Sequence, residues 1–306
     1  MSEPLLEADD ISVRRQGKLA VVDLSLELTR GECIGIAGPN SAGKSSLLAA
    51  VSGWLAVSKG EVRLNGKRLQ PGRVPVEIGL ATQEPTFYPR LTARENLRLF
   101  GSLYDITGPE LDNRIRDLLK VVELGDWADQ PAASYSGGIA RRLHLALALI
   151  HQPAVLLLDE PTVGLDPGTR HSLLRAIQNL RNAGTAVILT SQILSDLEVV
   201  STRMLVLVDG RVAVDEKTKD LMRRLGSGLI VAELAELHEP KLDLEGVPGV
   251  LSWRVDEGLV KVRVSDPHRT IQAVMARLDR DGINVASLAL EPPSLEDLLQ
   301  ELVPAL

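Results

Sequence analysis

A glycine-rich run that follows a short apolar segment is the part of this sequence best suited to chemistry. Its residues are Gly38, Pro39, Asn40, Ser41, Ala42, Gly43, Lys44, Ser45 and Ser46. The spacing G-x-x-x-x-G-K-S turns backbone N–H groups inward around phosphates, places the lysine ammonium on the β- and γ-phosphates and offers the next serine hydroxyl to Mg2+. The run therefore predicts binding of a nucleoside triphosphate with Mg2+; the alternative is a chance glycine-rich turn.

Two adjacent carboxylates, Asp159 and Glu160, follow the apolar run 155–158. Neighbouring side chains at a strand end point in different directions. Asp159 is therefore suited to hold Mg2+, directly or through water, and Glu160 to polarise an attacking water. The alternative is an ordinary acidic turn after a buried strand.

A second phosphate-facing group is expected at Ser136, Gly137 and Gly138. These residues precede a helical pattern whose apolar positions include Leu143 and Leu147. The backbone amides and the dipole at a helix N-terminus favour an anion. Ser136 is thus a candidate phosphate ligand.

The elements that must position these residues are predicted from periodicity. Apolar runs at 34–37, 155–158 and 187–190 indicate strands buried on both faces of a mostly parallel sheet. A helical pattern predicts an insertion at about 90–140, and a hairpin at 205–214 closes the first domain. The fold class is α/β, with antiparallel β elements beside the core sheet.

The length of 306 residues predicts about two domains. We place the first at 1–222, a charged linker at 223–228 and a small C-terminal α+β domain at 229–306. In the last of these, strand patterns flank a turn at 256–258, and helical faces occur at 271–278 and 294–302. A capping box from Ser294 to Asp297 opens the second of these helices.

The charge pattern argues against nucleic acid as a partner. Residues 228–306 hold fourteen acidic side chains against seven basic ones, which accounts for the whole net charge of −7, and no block of Lys or Arg occurs. The acidic N-terminus does not resemble a signal peptide, and no apolar stretch reaches the ~20 residues of a spanning helix. The sequence therefore predicts a chain that does not cross a membrane by itself.

Five segments together resemble the ATP-binding subunit of ABC transporters, a class of P-loop NTPases. They are the run 38–46, Gln83, YSGGIARRL at 135–143, VLLLDEP at 155–161 and GLDP at 164–167. This resemblance covers roughly residues 5–215. The tail, which ends in PPSLEDLLQEL, looks like the C-terminal extension of the drug, antibiotic and polysaccharide exporter branch.

The resemblance implies an ATPase (ATP and water to ADP and phosphate) that powers export through a separate membrane-spanning subunit at the cytoplasmic face of the cell membrane. Two cassettes, identical or different, would enclose two ATP molecules between the 38–46 loop of one and the 136–138 turn of the other. Gln83 would contact Mg2+ or the lytic water, Asp166 would act across the dimer, and residues 87–89 would line the groove for the membrane partner. The alternatives are a non-transport ABC clamp and a slow, mainly ATP-binding partner in a heterodimer.

Two positions depart from the family pattern. Gln192 stands where the family normally has His, and a glutamine amide can donate a hydrogen bond to the γ-phosphate but cannot become cationic. Slow hydrolysis is the expected consequence, with a simply tolerated substitution as the rival interpretation. The segment Arg14-Arg15-Gln16-Gly17 lacks the aromatic residue that stacks on adenine, so either the adenine contact is weaker or Arg15 stacks instead.

Overall fold

The computed structural model describes residues 3–225, 228–235, 242–256 and 258–291. Its contacts divide the chain into two compact units, Met1–Lys217 and Thr218–Ala305. No helix within the described ranges is both long and apolar enough to span a membrane.

The first unit alternates strands and helices. In chain order its elements are β1 (Leu6–Arg15), β2 (Lys18–Leu28), β3 (Cys33–Ala37), α1 (Lys44–Val51), β4 (Lys59–Leu64), β5 (Lys67–Arg68), β6 (Ile78–Ala81), α2 (Ala93–Ser102), α3 (Gly108–Val121), the 3-10 turns Gly125–Trp127 and Ala132–Ser134, α4 (Gly137–Leu149), β7 (Val155–Asp159), α5 (Pro167–Asn182), β8 (Ala186–Thr190), α6 (Leu194–Val200), β9 (Arg203–Val208) and β10 (Arg211–Lys217).

The core sheet has the strand order β10-β9-β3-β8-β7-β6, and its pairs are parallel except for the β9–β10 hairpin. Every residue of β3, β7 and β8 is buried, which confirms the prediction from their continuous apolar runs. The carboxyl ends of parallel strands lie at one edge of the sheet, where α/β proteins bind ligands. That edge places the glycine-rich loop, Asp159 and Thr190 on neighbouring strands.

A smaller antiparallel sheet, in the order β2-β1-β4-β5, lies beside this core. One hydrophobic cluster contains buried residues of both sheets together with Leu47, Leu48 and Val51 of α1. These three apolar side chains therefore hold helix α1 between the two sheets. Burying a side chain such as Leu47 contributes on the order of 2 kcal/mol, which fixes the helix directly behind the loop.

The predicted helical insertion is present as α2, α3 and the start of α4. Helix α2 begins at a complete capping box, in which the Thr92 side chain accepts from the Glu95 backbone and the Glu95 side chain accepts from the Thr92 backbone. Its buried positions and those of α3, such as Leu97, Ile115 and Leu119, form the apolar side of the insertion.

The second unit is a small α+β structure. Its elements are α7 (Thr218–Leu225), β11 (Gly228–Leu234), β12 (Val250–Asp256), β13 (Leu259–Val264), α8 (Pro267–Arg280) and β14 (Val285–Glu291). The antiparallel sheet has the order β12-β13-β11-β14. Ile230, Val262, Val274 and Leu278 are fully buried in its core, so the helical face predicted at 271–278 faces the sheet. The helical pattern at 294–302 and its capping box lie outside the described residues.

The division between the units differs from the sequence-based boundary. Helix α7 occupies much of the stretch that we expected to be the end of the first domain and the linker at 223–228. Its charged residues are arranged at helical spacing, and Arg223 pairs with Asp220 one turn earlier at 3.0 Å. A high density of charge therefore marks an amphipathic helix here and not a linker.

Candidate functional site

The glycine-rich loop joins the end of β3 to the start of α1 through left-handed backbone. Gly38, Ser41 and Gly43 have φ values of 145°, 68° and 105°. A Cβ atom at Gly38 would lie 2.2 Å from the carbonyl oxygen of Leu207, and one at Gly43 would lie 2.1 Å from that of Ala20. Both glycines are thus required, because the loop is closed in by the backbone of two neighbouring strands.

Lys44 is folded back into this loop. Its Nζ donates hydrogen bonds to the carbonyl oxygens of Gly38 at 2.8 Å and Pro39 at 3.0 Å. Burial lowers the pKa of Lys44, while the charges of Glu160 and Asp159 act in the opposite direction. The fold therefore brings the loop lysine and both predicted carboxylates into one electrostatic environment.

The two carboxylates lie where β7 ends, and both residues are buried. Glu160 has a φ of 47°, an uncommon left-handed conformation for a residue with a side chain. The hydroxyl of Thr190 donates to Asp159 Oδ1 at 2.7 Å and accepts from the backbone N–H of Glu160 at 2.9 Å. Sequence reasoning missed Thr190, although its place at the end of the next strand pointed to the same edge.

Gln192 lies directly beside Glu160. Its Nε2 donates to Glu160 Oε1 at 2.8 Å and to Oε2 at 2.9 Å. The sequence predicts a contact between Gln192 and a γ-phosphate, and that stays a prediction; the contact with Glu160 is a relationship that sequence reasoning did not find.

The residues that we expect to bind Mg2+ line a cavity of about 560 Å³. Ser45, Gln83 and Asp159 all line it, together with Arg15 and the exposed ring of Trp54. A hydroxyl, an amide and a carboxylate fit Mg2+ because this ion binds one or two protein carboxylates and completes its shell with phosphate oxygens and water. In the described part of the chain, no three or more His, Cys, Asp or Glu side chains group together in a way that could hold a metal ion.

Comparisons with known proteins show the family of this chain. The family described as "ABC transporter" matches residues 21–163, and "ATP-binding protein DrrA1-3-like, C-terminal domain" matches residues 215–303. The linearmycin resistance ATP-binding protein LnrL of Bacillus subtilis (strain 168) is 32% identical over 97% of this chain and 98% of its own length. The chain belongs to the ABC transporter ATP-binding family.

Other relatives extend the comparison. The daunorubicin resistance ATP-binding protein DrrA2 of Streptomyces coeruleorubidus is 33% identical over 97% of this chain and 94% of its own length. ABC transporter A family member 5 of Arabidopsis thaliana is 34% identical over 92% of this chain, which spans 31% of that protein. A dimeric post-hydrolysis structure of the ATP-binding cassette MJ0796 with ADP and Pi has a TM-score of 0.63 and 25% identity, over 70% of this chain and 98% of that one.

In this ABC cassette the Ser136 turn is open to solvent. Ser136 is the N-cap of α4 without a side-chain capping bond, and Ser136 and Gly137 are exposed. A Cβ at Gly138 would lie 2.8 Å from Thr169 Cγ2, so α4 approaches α5 closely there. Of the described residues that line the cavity around Ser45, none belongs to this turn.

Asp166 is also exposed, and its side chain caps α5 by accepting from the backbone N–H of Thr169 at 3.0 Å. The hydrogen bonds from Thr169 lower the pKa of Asp166. In the cassette the residue therefore has a local structural contact, and its predicted action across a dimer stays a prediction.

Gln83 is hydrogen-bonded to helix α4, which begins in the YSGGIARRL segment. Its backbone carbonyl accepts a hydrogen bond from the Arg141 guanidinium. Burial lowers the pKa of Arg141, and the charges of Glu160 and Asp159 oppose that shift. Arg141 is a second residue that sequence reasoning missed, although it lies in the YSGGIARRL segment.

The segment predicted to line the partner groove is held by a buried amide. Asn96 accepts from the backbone N–H of Tyr88 at 2.8 Å and donates to the Tyr88 carbonyl at 3.0 Å. Tyr88 is 56% exposed as a residue, and its ring meets that of Phe100 edge-on at a centroid distance of 6.4 Å. The cassette thus presents an aromatic ring at a fixed backbone position, and its contact with a membrane partner stays a prediction.

Asp196 connects the segment after Glu160 to two helices. This carboxylate is fully buried and accepts from the Thr162 hydroxyl and from the Arg170 guanidinium. Arg170 also donates to the hydroxyl of Ser195 at 2.8 Å. The network lies between α5 and α6 and could not be found from spacing, since its members are far apart in sequence.

Proposed function

We propose that the chain binds and hydrolyses ATP and that this powers the export of a substrate through a separate membrane-spanning subunit at the cytoplasmic face of the cell membrane. The observation that carries the proposal is the convergence of Lys44, Asp159 and Glu160 at the carboxyl edge of the core sheet. Relatives whose names state linearmycin resistance, daunorubicin resistance or Nod factor export support the proposal that the chain powers export.

Each of the predicted site residues has a proposed role in ATP hydrolysis. The backbone amides of the loop 38–46 and the Lys44 ammonium bind the phosphates, and Ser45 and Asp159, with Gln83, hold Mg2+. When bound, Mg2+ neutralises charge on the phosphate oxygens. Glu160 orients the attacking water and receives its proton.

The site is proposed to be complete only in a dimer. Ser136, Gly137 and Gly138 of a second cassette contribute donors to the γ-phosphate, and Asp166 contacts that second cassette. The exposure of the Ser136 turn and its absence from the lining of the loop cavity in the described structure support this arrangement. The second cassette is either another copy of this chain or a different one.

Slow turnover is proposed because Gln192 replaces the usual His. The amide cannot carry the positive charge that an imidazole can supply near neutral pH. It is also bonded to both oxygens of Glu160. The same observation favours a second candidate function, a mainly ATP-binding partner in a heterodimeric complex.

Two further parts of the chain have proposed roles in the complex with the membrane subunit. Residues 87–89 are proposed to contact the membrane subunit, because Tyr88 is exposed while its backbone is fixed by Asn96. The unit Thr218–Ala305 is proposed to be an accessory domain with its own core, which includes Ile230 and Val274.

Phosphate release and transport test this function together. The purified chain is assayed for Mg2+-dependent ATP hydrolysis alone and with a membrane protein encoded beside it, and the pair is placed in sealed vesicles to measure ATP-driven substrate movement. We expect hydrolysis by the chain and transport only by the pair. Hydrolysis that survives Glu160→Gln contradicts the proposed catalytic site, and transport without ATP contradicts its coupling.

A further inference from the structure

A single buried hydroxyl lies between the two carboxylate residues of the site. Thr190 is the last residue of β8, is 0% exposed, and is in register with Asp159 at the end of β7. Its Oγ1 is 2.7 Å from Asp159 Oδ1 and 2.9 Å from the backbone nitrogen of Glu160. The Thr190 hydroxyl therefore contacts both the residue expected to bind the metal and the residue expected to orient the attacking water.

The direction of both hydrogen bonds follows from the atoms involved. The backbone N–H of Glu160 can only donate, so the Thr190 hydroxyl accepts there. The one hydroxyl proton is then donated to the carboxylate of Asp159, which accepts when it is ionised. One oxygen atom thus fixes the rotation of one carboxylate and the main chain of the next residue.

The main chain of Glu160 needs such a support. Its φ of 47° lies in the left-handed region, where a residue with a Cβ atom persists only if its surroundings hold it. The Thr190 bond to the Glu160 N–H holds the chain at the point where it leaves β7. The direction in which the Glu160 carboxylate leaves the backbone depends on that conformation.

We propose that the Thr190 hydroxyl is a positioning group for ATP hydrolysis. It fixes the orientation of the Asp159 carboxylate and the backbone from which the Glu160 side chain reaches the attacking water. The inference rests on the proposed ATPase function. In that reaction the water oxygen bonds to the γ-phosphorus while the bond from that phosphorus to the β–γ bridging oxygen breaks, ADP leaves with the electron pair, and Glu160 receives a proton from the water. Thr190 acts through both carboxylate residues and does not touch the nucleotide.

Steady-state kinetics on two variants of the full-length chain test the proposal. Thr190→Val keeps the shape of the side chain and removes the hydroxyl, while Thr190→Ser keeps the hydroxyl. We expect Thr190→Val to lower kcat roughly ten- to hundredfold, the loss that corresponds to a hydrogen bond with a charged group. KM for ATP stays within about twofold because the phosphate-binding loop is untouched. Thr190→Ser keeps kcat within about threefold of the unaltered protein.

Thr202 offers a matched control in the same sheet. Its hydroxyl accepts from the Cys33 backbone N–H and donates to the Cys33 carbonyl, both at 3.0 Å, at the far end of β3 from the loop. Thr202→Val therefore removes the same number of hydrogen bonds without reaching either carboxylate. We expect a lower Tm with kcat unchanged.

The outcomes separate this inference from the proposed function. Full kcat in Thr190→Val, or an equal loss in Thr202→Val, overturns the role of Thr190 while the ATPase function stands. An unaltered protein that does not hydrolyse ATP, or one whose rate survives Glu160→Gln, overturns both. If Thr190→Val does not fold, Thr190→Cys provides the test. Because a thiol is a weak donor, kcat must fall by at least about threefold at unchanged KM. Full activity in Thr190→Cys contradicts the proposal.

Discussion

Gln192 donates its side-chain amide to both carboxylate oxygens of Glu160, at 2.8 and 2.9 Å. The proposed base is thus held by a neutral donor at the position where the resemblance leads us to expect His. Thr190 also accepts a hydrogen bond from the Glu160 backbone N–H, so both the main chain and the side chain of Glu160 are held. The chemistry available at position 192 therefore acts directly on the proposed base.

Gln192→His is expected to accelerate ATP hydrolysis with little change in nucleotide affinity. An imidazole can become cationic beside Glu160 and the γ-phosphate, which the amide cannot. Recovery of ~1.4 kcal/mol in the transition state corresponds to a tenfold increase in rate. Single-turnover hydrolysis measures the chemical step directly.

Gln178→His is the matched control, because Gln178 lies on α5, where its amide donates to the Val199 carbonyl at 2.7 Å. This variant should leave the single-turnover rate unchanged. Equal or slower hydrolysis by Gln192→His would mean that the amide already suits its site, and the idea of a slow cassette would be dropped.

Glu160→Gln is expected to abolish turnover and leave ATP binding intact. The new amide keeps the size of the side chain and can still bond to Gln192, but it cannot receive a proton from the water. The variant should accumulate as an ATP-bound dimer, detected by light scattering with ATP and Mg2+. Glu110→Gln, which affects a half-exposed pair with Arg114 on α3, should hydrolyse and dissociate normally. A normal rate in Glu160→Gln would remove Glu160 from the role of base.

The sequence predicted the parts of the site that depend on local spacing. The loop 38–46, the apolar strand ahead of Asp159 and the helix after Ser136 are all formed by contiguous residues, and the structure confirms these elements. Their alternation also predicted the mostly parallel sheet, because runs buried on both faces occur in few other settings.

The contacts that sequence reasoning missed join distant segments. Thr190 meets Asp159 only because β7 and β8 pair in a particular register, and Asp196 meets Arg170 only because α5 and α6 pack together. Neither spacing nor residue type encodes these pairings. Helix α7 was missed for a different reason, since local charge was interpreted as a linker although the same residues form an amphipathic helix.

Lys44→Ala is expected to weaken nucleotide binding or chemistry with little change in the apo Tm. Its ammonium is held by two loop carbonyls, and burial, which lowers the pKa of Lys44, also makes its charge unfavourable without phosphate. In the apo protein the two hydrogen bonds of Lys44 stabilise the loop, whereas the burial of its charge destabilises it. Calorimetric titration with ATP and thermal unfolding without ligand measure the two quantities.

Lys59→Ala serves as its control, since Lys59 forms exposed ion pairs with Asp10 and Asp23. Surface pairs contribute about 0–1 kcal/mol, so this variant should match the unaltered protein in both measurements. Unfolding of apo Lys44→Ala would instead show that the lysine holds the loop together.

His144 on α4 is expected to make the first unit sensitive to acid. Burial, together with the nearby charge of Arg141, lowers the pKa of His144 to about 4. The unfolded chain binds a proton at an ordinary pKa near 6.5, so stability falls as the pH drops from about 6.5 towards 4. The cost reaches about 2–3 kcal/mol at pH 4.5 by this linkage.

Urea unfolding at pH 7 and pH 4.5 checks the effect of His144. His144→Leu should reduce the loss of stability between the two pH values by that amount, whereas His171→Leu, at an exposed position on α5, should not. An identical pH dependence in His144→Leu and the unaltered protein would show that other groups control the acid sensitivity.

Truncation after Lys217 is expected to leave a folded cassette that binds ATP. The first compact unit ends at this residue, and β10 completes the edge of the core sheet by pairing with β9 from Arg211↔Val208 to Lys217↔Arg203. Truncation after Val208 removes β10, exposes the unpaired edge of β9 and should give aggregated protein. Sedimentation and ATP titration of both fragments distinguish the outcomes. If the fragment ending at Lys217 aggregates as well, the cassette requires the second unit to fold, and the proposed division into an independent cassette and an accessory domain is wrong.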